Sequence, residues 1–336
     1  MKIKTQWLEF FNLFKKMLHK KTIAYFKTYH YNLSMKKLIY VLLMFMTFAA
    51  VNVFAASNGT TALPFLEMGA GARYIGMGGV GTAIADDANT VYWNPGLIVK
   101  AGINAVDFMH TLYTEETSYS YAGLIMMIND TNAFGVSAQY FSAGDIKTFD
   151  DTGGATGSIN PYDAAVSLAY SVDIKGFGIG ASAKFIQSQI VNTANSFAFS
   201  AGVSLPDFVD ERLKIGAAVT NVGAGITYDQ EKEKLPTCVR AGAGFYVTDN
   251  LLIAADVGKV LDSDIYAAAG LEYTLGINDE LSLALRGGYN TIAESEELSG
   301  ASAGLGIEYR SLVLDYAFVP MGNLGNTHRI SLTFFW

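Results

Sequence analysis

The chain has 336 residues, 51% of them hydrophobic and only 16% charged, with 34 Gly, 19 Tyr and 21 Phe. Charged residues usually make up about 25% of a globular protein; this composition argues against an ordinary soluble enzyme and suits extensive lipid-facing or tightly packed β surface. Residues 1–55 hold nine of the 23 basic residues and one of the 31 acidic ones, leaving 14 against 30 and a net charge of −16 for the rest; such an acidic body repels phosphate backbones, and no nucleic-acid partner is expected.

Residues 1–34 are Lys-rich and precede a better start at Met35, so they read as a basic extension or the product of a misplaced translation start. Met35-Lys36-Lys37 leads into an apolar run and then Ala55-Ala56-Ser57. A basic start, an apolar stretch and small residues at the exit make a secretory signal peptide over 35–55, cut after Ala55 with Val53 at the −3 position. The competing reading of that run is a membrane anchor. Cys238 is the single cysteine, so no intrachain disulfide is possible and export rather than cysteine usage sets the compartment.

Residues 56–102 carry Gly76, Gly78 and Gly81 in a G-x-G-x-x-G pattern. A dinucleotide fingerprint needs a buried strand before it, a helix after it and an acid about twenty residues on. "FLEMGAGARYI" is no such strand, Asp86, Asp87, Asn89 and "NPG" break any following helix, and only Lys100 and Ala101 stand where the acid belongs. The glycines are instead expected to let a compact segment pass through crowded space, as a plug inside a barrel.

From residue 103 to 336 the chain alternates with period two. "ASAGLGIEY" sets Ala301, Ala303, Leu305, Ile307 and Tyr309 against Ser302, Gly304, Gly306 and Glu308, and "ISLTFFW" sets Ile330, Leu332, Phe334 and Trp336 against Ser331 and Thr333. Such alternation marks strands with one apolar and one small or polar face. About fourteen segments of roughly ten residues follow, each long enough to cross a bilayer as a tilted strand. The connections "NDT", "DIKG", "TDN" and "RS" are short, while 142–161 and 223–236 are long. Tight turns at one barrel end and longer loops at the other fit a transmembrane barrel, and an even strand number returns both termini to the periplasmic side. The fold class is therefore all-β: an antiparallel transmembrane barrel of about fourteen strands with an N-terminal Gly-rich plug, closed because lipid leaves no partner for an open edge. Aromatics near segment ends, among them Tyr119, Tyr140, Tyr170, Phe185, Tyr246, Tyr273, Tyr289, Tyr309 and Trp336, are expected at the headgroup boundary.

If the apolar faces point outward, Lys184, Lys214, Arg240, Asp256, Glu272, Arg286, Glu308 and Asp315 point into the lumen, where cross-strand pairing forms an internal ladder that anchors the plug. Enzyme chemistry finds little support. The sequence has neither H-E-x-x-H nor G-x-S-x-G, and alternation puts His110 and Asp107, beside Ser120, on opposite faces. No catalytic residue, metal site or cofactor is expected. "DDTGG" at Asp150-Asp151 reads as a solvated turn without EF-hand spacing.

The run "PFLEMGAGARYIGMGGVGTAIADDANTVYWNPG" resembles the N-terminal region of FadL-like outer-membrane barrels and is similar in particular to the PorV/PorQ family, with its "A-x-D-A-x-x-x-x-x-N-P" signature. The matching positions are Ala85, Asp87, Ala88, Asn94 and Pro95, with the aromatics Tyr92 and Trp93 before them. The motif covers about 45 residues; the remainder matches by strand pattern and by a terminal aromatic, Trp336, like the assembly signal read by the barrel assembly machinery. The resemblance implies a plug over 56–102 inside a barrel over 103–336, embedded in outer-membrane lipid. For PorV-like relatives it implies a non-enzymatic component of type IX secretion, with secretion-system or secreted proteins as partners; for FadL-like relatives, a channel for hydrophobic small molecules.

Overall fold

The computed structural model describes residues 61–336 apart from 114–116, 210, 230, 262, 292–299 and 323–324. The basic extension, the leader and its cut at Ala55 lie outside the described residues. In chain order the strands are β1 (Ala105–Leu112), β2 (Ser118–Asn129), β3 (Asn132–Ser142), β4 (Ile146–Phe149), β5 (Ala155–Ile159), β6 (Tyr162–Ile174), β7 (Phe177–Gln189), β8 (Thr193–Ser204) and β9 (Leu213–Gly223). They continue with β10 (Ile226–Tyr228), β11 (Glu231–Glu233), β12 (Cys238–Thr248), β13 (Leu251–Val260), β14 (Ile265–Gly276), β15 (Leu281–Asn290), β16 (Ala301–Tyr309), β17 (Leu312–Pro320) and β18 (Asn326–Phe335). Fourteen of them close into one antiparallel barrel, each paired to its sequence neighbour within the barrel and β1 sealed against β18. The other four form two small hairpins, β4–β5 and β10–β11.

Alternation becomes two surfaces. On β6, Val166, Leu168 and Tyr170 face out while Ala165, Ser167, Ala169 and Ser171 are buried. On β8, Phe197 and Phe199 are more than 60% exposed, between the buried Ser196, Ala198 and Ser200. The outward Leu, Ile, Val, Phe and Tyr side chains continue around the wall. In water that belt would far exceed the few hundred Å² of contiguous apolar surface that monomers tolerate; against hydrocarbon it costs nothing. Inward positions are small because the lumen is already occupied, and glycines on β7, β8, β9, β12, β14, β15 and β16 let the plug approach the wall backbone.

Three expectations need correction. Tyr119 and Tyr246 do not join the outer aromatic ring. Tyr119 is fully buried and its hydroxyl accepts from Gln139 Nε2 (2.9 Å), because β2 turns its aromatic set, Tyr119 and Tyr121, toward the plug. Tyr246 packs against the buried core because it continues the inward-facing set of β12, Cys238, Arg240, Gly242 and Gly244. Tyr140, Tyr170, Phe185, Tyr273, Tyr289, Tyr309 and Trp336 do face outward. The third concerns the chain's start. Strands β1 and β18 begin and end at one end of the barrel, the near end, yet the Ala62 N–H donates to the Lys234 carbonyl (3.0 Å), in the link between β9 and β12 at the far end. The first described residues therefore lie opposite the C-terminus, and the plug runs down the lumen before β1 starts.

The tight turns gather at the near end, between β2 and β3, β6 and β7, β12 and β13, and β16 and β17. At the far end the two long links fold back as the hairpins β4–β5 and β10–β11. The second caps the lumen, burying Ile226 and Leu235 and placing the Tyr228 hydroxyl 2.8 Å from Ser188 Oγ. In the first, Asp150 Oδ1 accepts from Thr152 N–H, Thr152 Oγ1 and Gly154 N–H at 2.7–2.9 Å, a self-contained Asx turn.

Candidate functional site

The plug is built from short turns because its sequence permits nothing longer. Pro64–Glu67, Ala72–Gly76, Thr90–Trp93, Pro95–Leu97 and Ile98–Ala101 are helical pieces of three to five residues. Their large side chains fill the lumen: Phe65, Leu66, Tyr74 and Met77 have no exposed surface. Tyr92 packs edge-on against Trp93 (5.0 Å) and Tyr121 (6.3 Å). Tyr92 OH donates to the Leu66 carbonyl (3.1 Å), and Trp93 Nε1 donates to the Ala70 carbonyl (2.8 Å).

The three motif glycines serve this packing. A Cβ on Gly76 would stand 3.1 Å from Gly304 Cα on β16. Gly78 has φ +83°, and a Cβ there would meet the Tyr289 backbone at 2.8 Å; its N–H donates to Ser302 Oγ (2.9 Å) and its carbonyl accepts from Asn290 Nδ2 (3.0 Å). Gly81 lies under the Trp93 indole, where a Cβ would overlap the ring. Their amides and faces are spent on the wall and on an aromatic ring, so no cradle for a pyrophosphate is left.

The Asn94-Pro95 signature docks the plug onto the opposite wall. Asn94 Oδ1 accepts from Gly96 N–H (2.9 Å) and Nδ2 donates to the carbonyls of Thr82 (2.8 Å) and Val203 (3.0 Å). Pro95 suits the first helical position, where an N–H is not needed. Gly178, Gly180 and Gly202 face this turn; any Cβ there would collide with Gly96, Pro95 or Asn94. Asp87 Oδ1 accepts from Asn89 N–H (2.8 Å), and burial, reinforced by Asp86, raises its carboxyl to about 6.

The lumen charges divide into groups. Glu272 on β14 accepts Arg286 Nε of the facing β15 position (2.6 Å), and Arg286 Nη1 donates to Asp315 on β17 (2.6 Å). The plug joins this ladder through Arg73, whose Nε and Nη2 donate to Glu272 at 2.9 and 2.8 Å while Nη1 reaches Asp86 at 2.6 Å. Asp256 Oδ2 takes the N–H groups of Gly81 and Thr82 (3.1 and 3.0 Å) and the Thr82 hydroxyl (2.6 Å). On the other side of the lumen Lys184 Nζ donates to Asn221 Oδ1 (2.7 Å) and Asn221 Nδ2 to Glu67 (3.0 Å). Burial raises Glu67 above the ordinary glutamate range, with Arg240 and Lys184 pulling it down. Arg240 lies 5.5 and 5.3 Å over the rings of Tyr92 and Trp93. Lys214 and Glu308 stand apart from the buried set. Lys214 pairs with Asp207 in the adjoining near-end link (2.9 Å), and Glu308, exposed at the near end, accepts only from Ser282 Oγ (3.2 Å).

The sequence reading did not single out the plug's own anchors, Arg73, Glu67, Lys100 and the wall residue Arg329. Lys100 donates to Asp173 (3.4 Å) and the Gly176 carbonyl (3.2 Å); Arg329 holds the Met68 carbonyl and Tyr113 OH. A charge inside a Gly/Ala-rich apolar run was the available signal, since a buried charge needs a partner. Below the ladder a polar cavity of about 400 Å³ opens at the near end, lined by Asp86, Asp87, Arg286, Glu308, Thr333 and Phe335 among others. On the outer wall, His110 Nδ1 lies 2.9 Å from Ser120 Oγ while Asp107 points inward, so the three do not form a triad.

These features define a closed fourteen-stranded β-barrel whose lumen is filled by its own N-terminal segment. The fold is similar to that of the Pseudomonas putida toluene transporter TodX (TM-score 0.54, 12% identity, 80% of this chain and 96% of that one). It is similar as well to that of a Pseudomonas aeruginosa FadL homologue (TM-score 0.51, 13% identity, 84% and 99%) and of the Ralstonia pickettii toluene transporter TbuX (TM-score 0.50, 12% identity, 80% and 97%). At such identities the likeness concerns the fold alone. No curated protein sequence matches the chain. The family described as type IX secretion system protein PorV matches residues 55–261, more than half of the sequence, and the chain belongs to that family.

Proposed function

We propose that this protein is a non-enzymatic outer-membrane component of type IX secretion, acting as a platform for secretion-system or secreted proteins rather than as an open pore. The observation that carries the reading is the family match over 55–261. The packed lumen supports it: the plug is tied to the wall by the Arg73–Glu272 pair, by Asp256 and by the Asn94 turn, leaving its far-end surface and hairpins to meet partners. The apolar belt and the near-end position of the C-terminal Trp336 support residence in the outer membrane after barrel assembly. The plug at 56–102 and barrel at 103–336, with a leader ahead of them, form the matching domain plan. Affinity purification from outer membranes, paired with a secretome of the deletion strain, tests the function. Co-recovered secretion proteins and secreted cargo retained in the cell are expected.

A second reading, passage of hydrophobic small molecules, is favoured by the shared fold and by an apolar hollow of about 570 Å³ on the outer wall, over Ala122 and Ala138 between Phe108 and Tyr140. Intact secretion together with slowed uptake of an aromatic hydrocarbon in the deletion strain would establish it in place of the first.

A further inference from the structure

The outer wall changes character beside the β1–β18 seam. There β2 turns the small side chains of Ser118, Ser120 and Ala122 outward, between the buried Tyr119, Tyr121 and Gly123, and β3 sets Ala138 directly against Ala122. Taller side chains flank this floor: Phe108 and Leu112 on β1 are more than half exposed, and Tyr140 on β3 nearly so. The result is a hollow of about 570 Å³ over Ala122 and Ala138, with Ile330 and Leu332 of β18 at its edge. It is a dent and not a doorway. Ala122 and Ala138 are ladder partners, and Tyr121 and Gln139 beside them are buried on the lumen side.

The upper rim of the hollow is polar. His110 Nδ1 lies 2.9 Å from Ser120 Oγ, on facing positions of β1 and β2, each two residues from the far end of its strand. The far half of the wall is the outer-leaflet side when the tight turns face the periplasm. The His110–Ser120 bond uses one of the pair's two hydrogens. If Ser120 donates, the other sits on His110 Nε2; if Nδ1–H donates, the Ser120 hydroxyl keeps it. Either way one donor points away from the protein, and no second hydrogen bond to either group is made among the described residues. A donor left open in an apolar belt is unfavourable until an acceptor reaches it. In the outer half of a bilayer the acceptors at hand are the ester carbonyls of lipids. From Ser118 to Ala122 the floor runs about 13 Å along the strand, close to the ~15 Å hydrocarbon depth of one leaflet. We propose that this hollow holds one acyl chain of an outer-leaflet lipid, its ester carbonyl accepting from the His110–Ser120 pair and its chain lying over Ala122 and Ala138. The inference rests on the outer-membrane residence proposed above and not on the secretion reading. It gives the hollow a resident lipid, pinned against the strands that close the barrel, in place of a molecule in transit.

The test uses the full chain refolded into vesicles of phosphatidylethanolamine and phosphatidylglycerol, doped with a phosphatidylethanolamine that carries a photoreactive diazirine midway along one acyl chain. After illumination, peptide mapping by mass spectrometry is expected to find label on residues 118–124 and 136–142 about tenfold above that on β7 and β14, a readout that needs no substitution. Ala138→Phe, which fills the hollow from the lipid side, should abolish the excess, while Ala183→Phe, outward on β7, should leave it. His110→Phe should lower it about fivefold, the factor that one net hydrogen bond supplies. Label spread evenly around the belt, or an excess indifferent to Ala138→Phe, would overturn the proposal. An excess that toluene displaces while labelling of β7 is unchanged would overturn it in favour of a small-molecule site. A chain that stays outside the vesicles, with no label anywhere on the wall, would overturn membrane residence itself and the proposal with it.

Discussion

Replacing Arg73 by Gln tests whether the ladder holds the plug. The substitution removes two bonds to Glu272, at 2.9 and 2.8 Å, and one to Asp86 at 2.6 Å. Removing one member of a buried pair costs about 3–5 kcal/mol when the other charge is abandoned. Here Glu272 keeps Arg286, and the Arg73 side chain is 17% exposed, so the loss falls to about 2–3 kcal/mol. Because the barrel's own pairing is untouched, the cost appears as local opening of the plug, about 30- to 160-fold more frequent. Amide exchange followed by mass spectrometry in micelles measures it: peptides covering 72–90 should exchange faster by that factor, while β6–β8 keep their protection. If the plug peptides change by less than about threefold, the Arg73 contacts do not anchor it and the reasoning fails.

Other substitutions probe separate parts of the molecule. Gly81→Val should destabilise by about 2 kcal/mol or more, because the added carbons enter the Trp93 ring, while Gly276→Ala, with open space around it, should leave the melting temperature unchanged in the same thermal scan. Leu285→Lys places a charge on the outer belt and should cost about 2–4 kcal/mol in refolding into vesicles, whereas Leu285→Phe refolds normally. Glu67 is raised by burial, so the folded state binds its proton more tightly than the unfolded state; its contribution to stability falls as pH rises from the ordinary glutamate range through the raised folded value. Glu67→Gln removes that slope, and its stability relative to the unsubstituted protein should grow as pH rises above the ordinary glutamate range; a constant offset in denaturant titrations would contradict this.

The wall was legible because a half-buried strand writes its two faces into alternate letters. "ASAGLGIEY" states which side of β16 meets the plug and which faces outward. Tyr119 was not, since β2 carries large residues inward, where the lumen leaves room for rings against Tyr92 and the plug; alternation reports faces but not which one is inside. The hairpins β4–β5 and β10–β11 are too short, and too rich in Gly, Asp, Glu and Lys, to show a period. The plug has no period at all. Its Asn94-Pro95 turn was visible through resemblance, but the partners of Arg73 and Glu67 lie 199 and 154 residues away, a separation no local pattern encodes.

The seal between β1 and β18 has a consequence for how the molecule is made. It joins Ala105 to Phe335, the two extremities of the cylinder, and therefore closes the longest loop the wall contains. Met77 and Pro95 by then rest against Gly270 and Gly180, in recesses reached only from within, and the hairpin over Ile226 covers the far entrance. In a finished cylinder that segment has to reach those recesses past the near-end opening alone. The simpler order of biogenesis wraps the sheet around a segment already in position, with the two outermost ribbons zipped last; a lesion that delays seating of the segment is then expected to register as a failure to complete the cylinder.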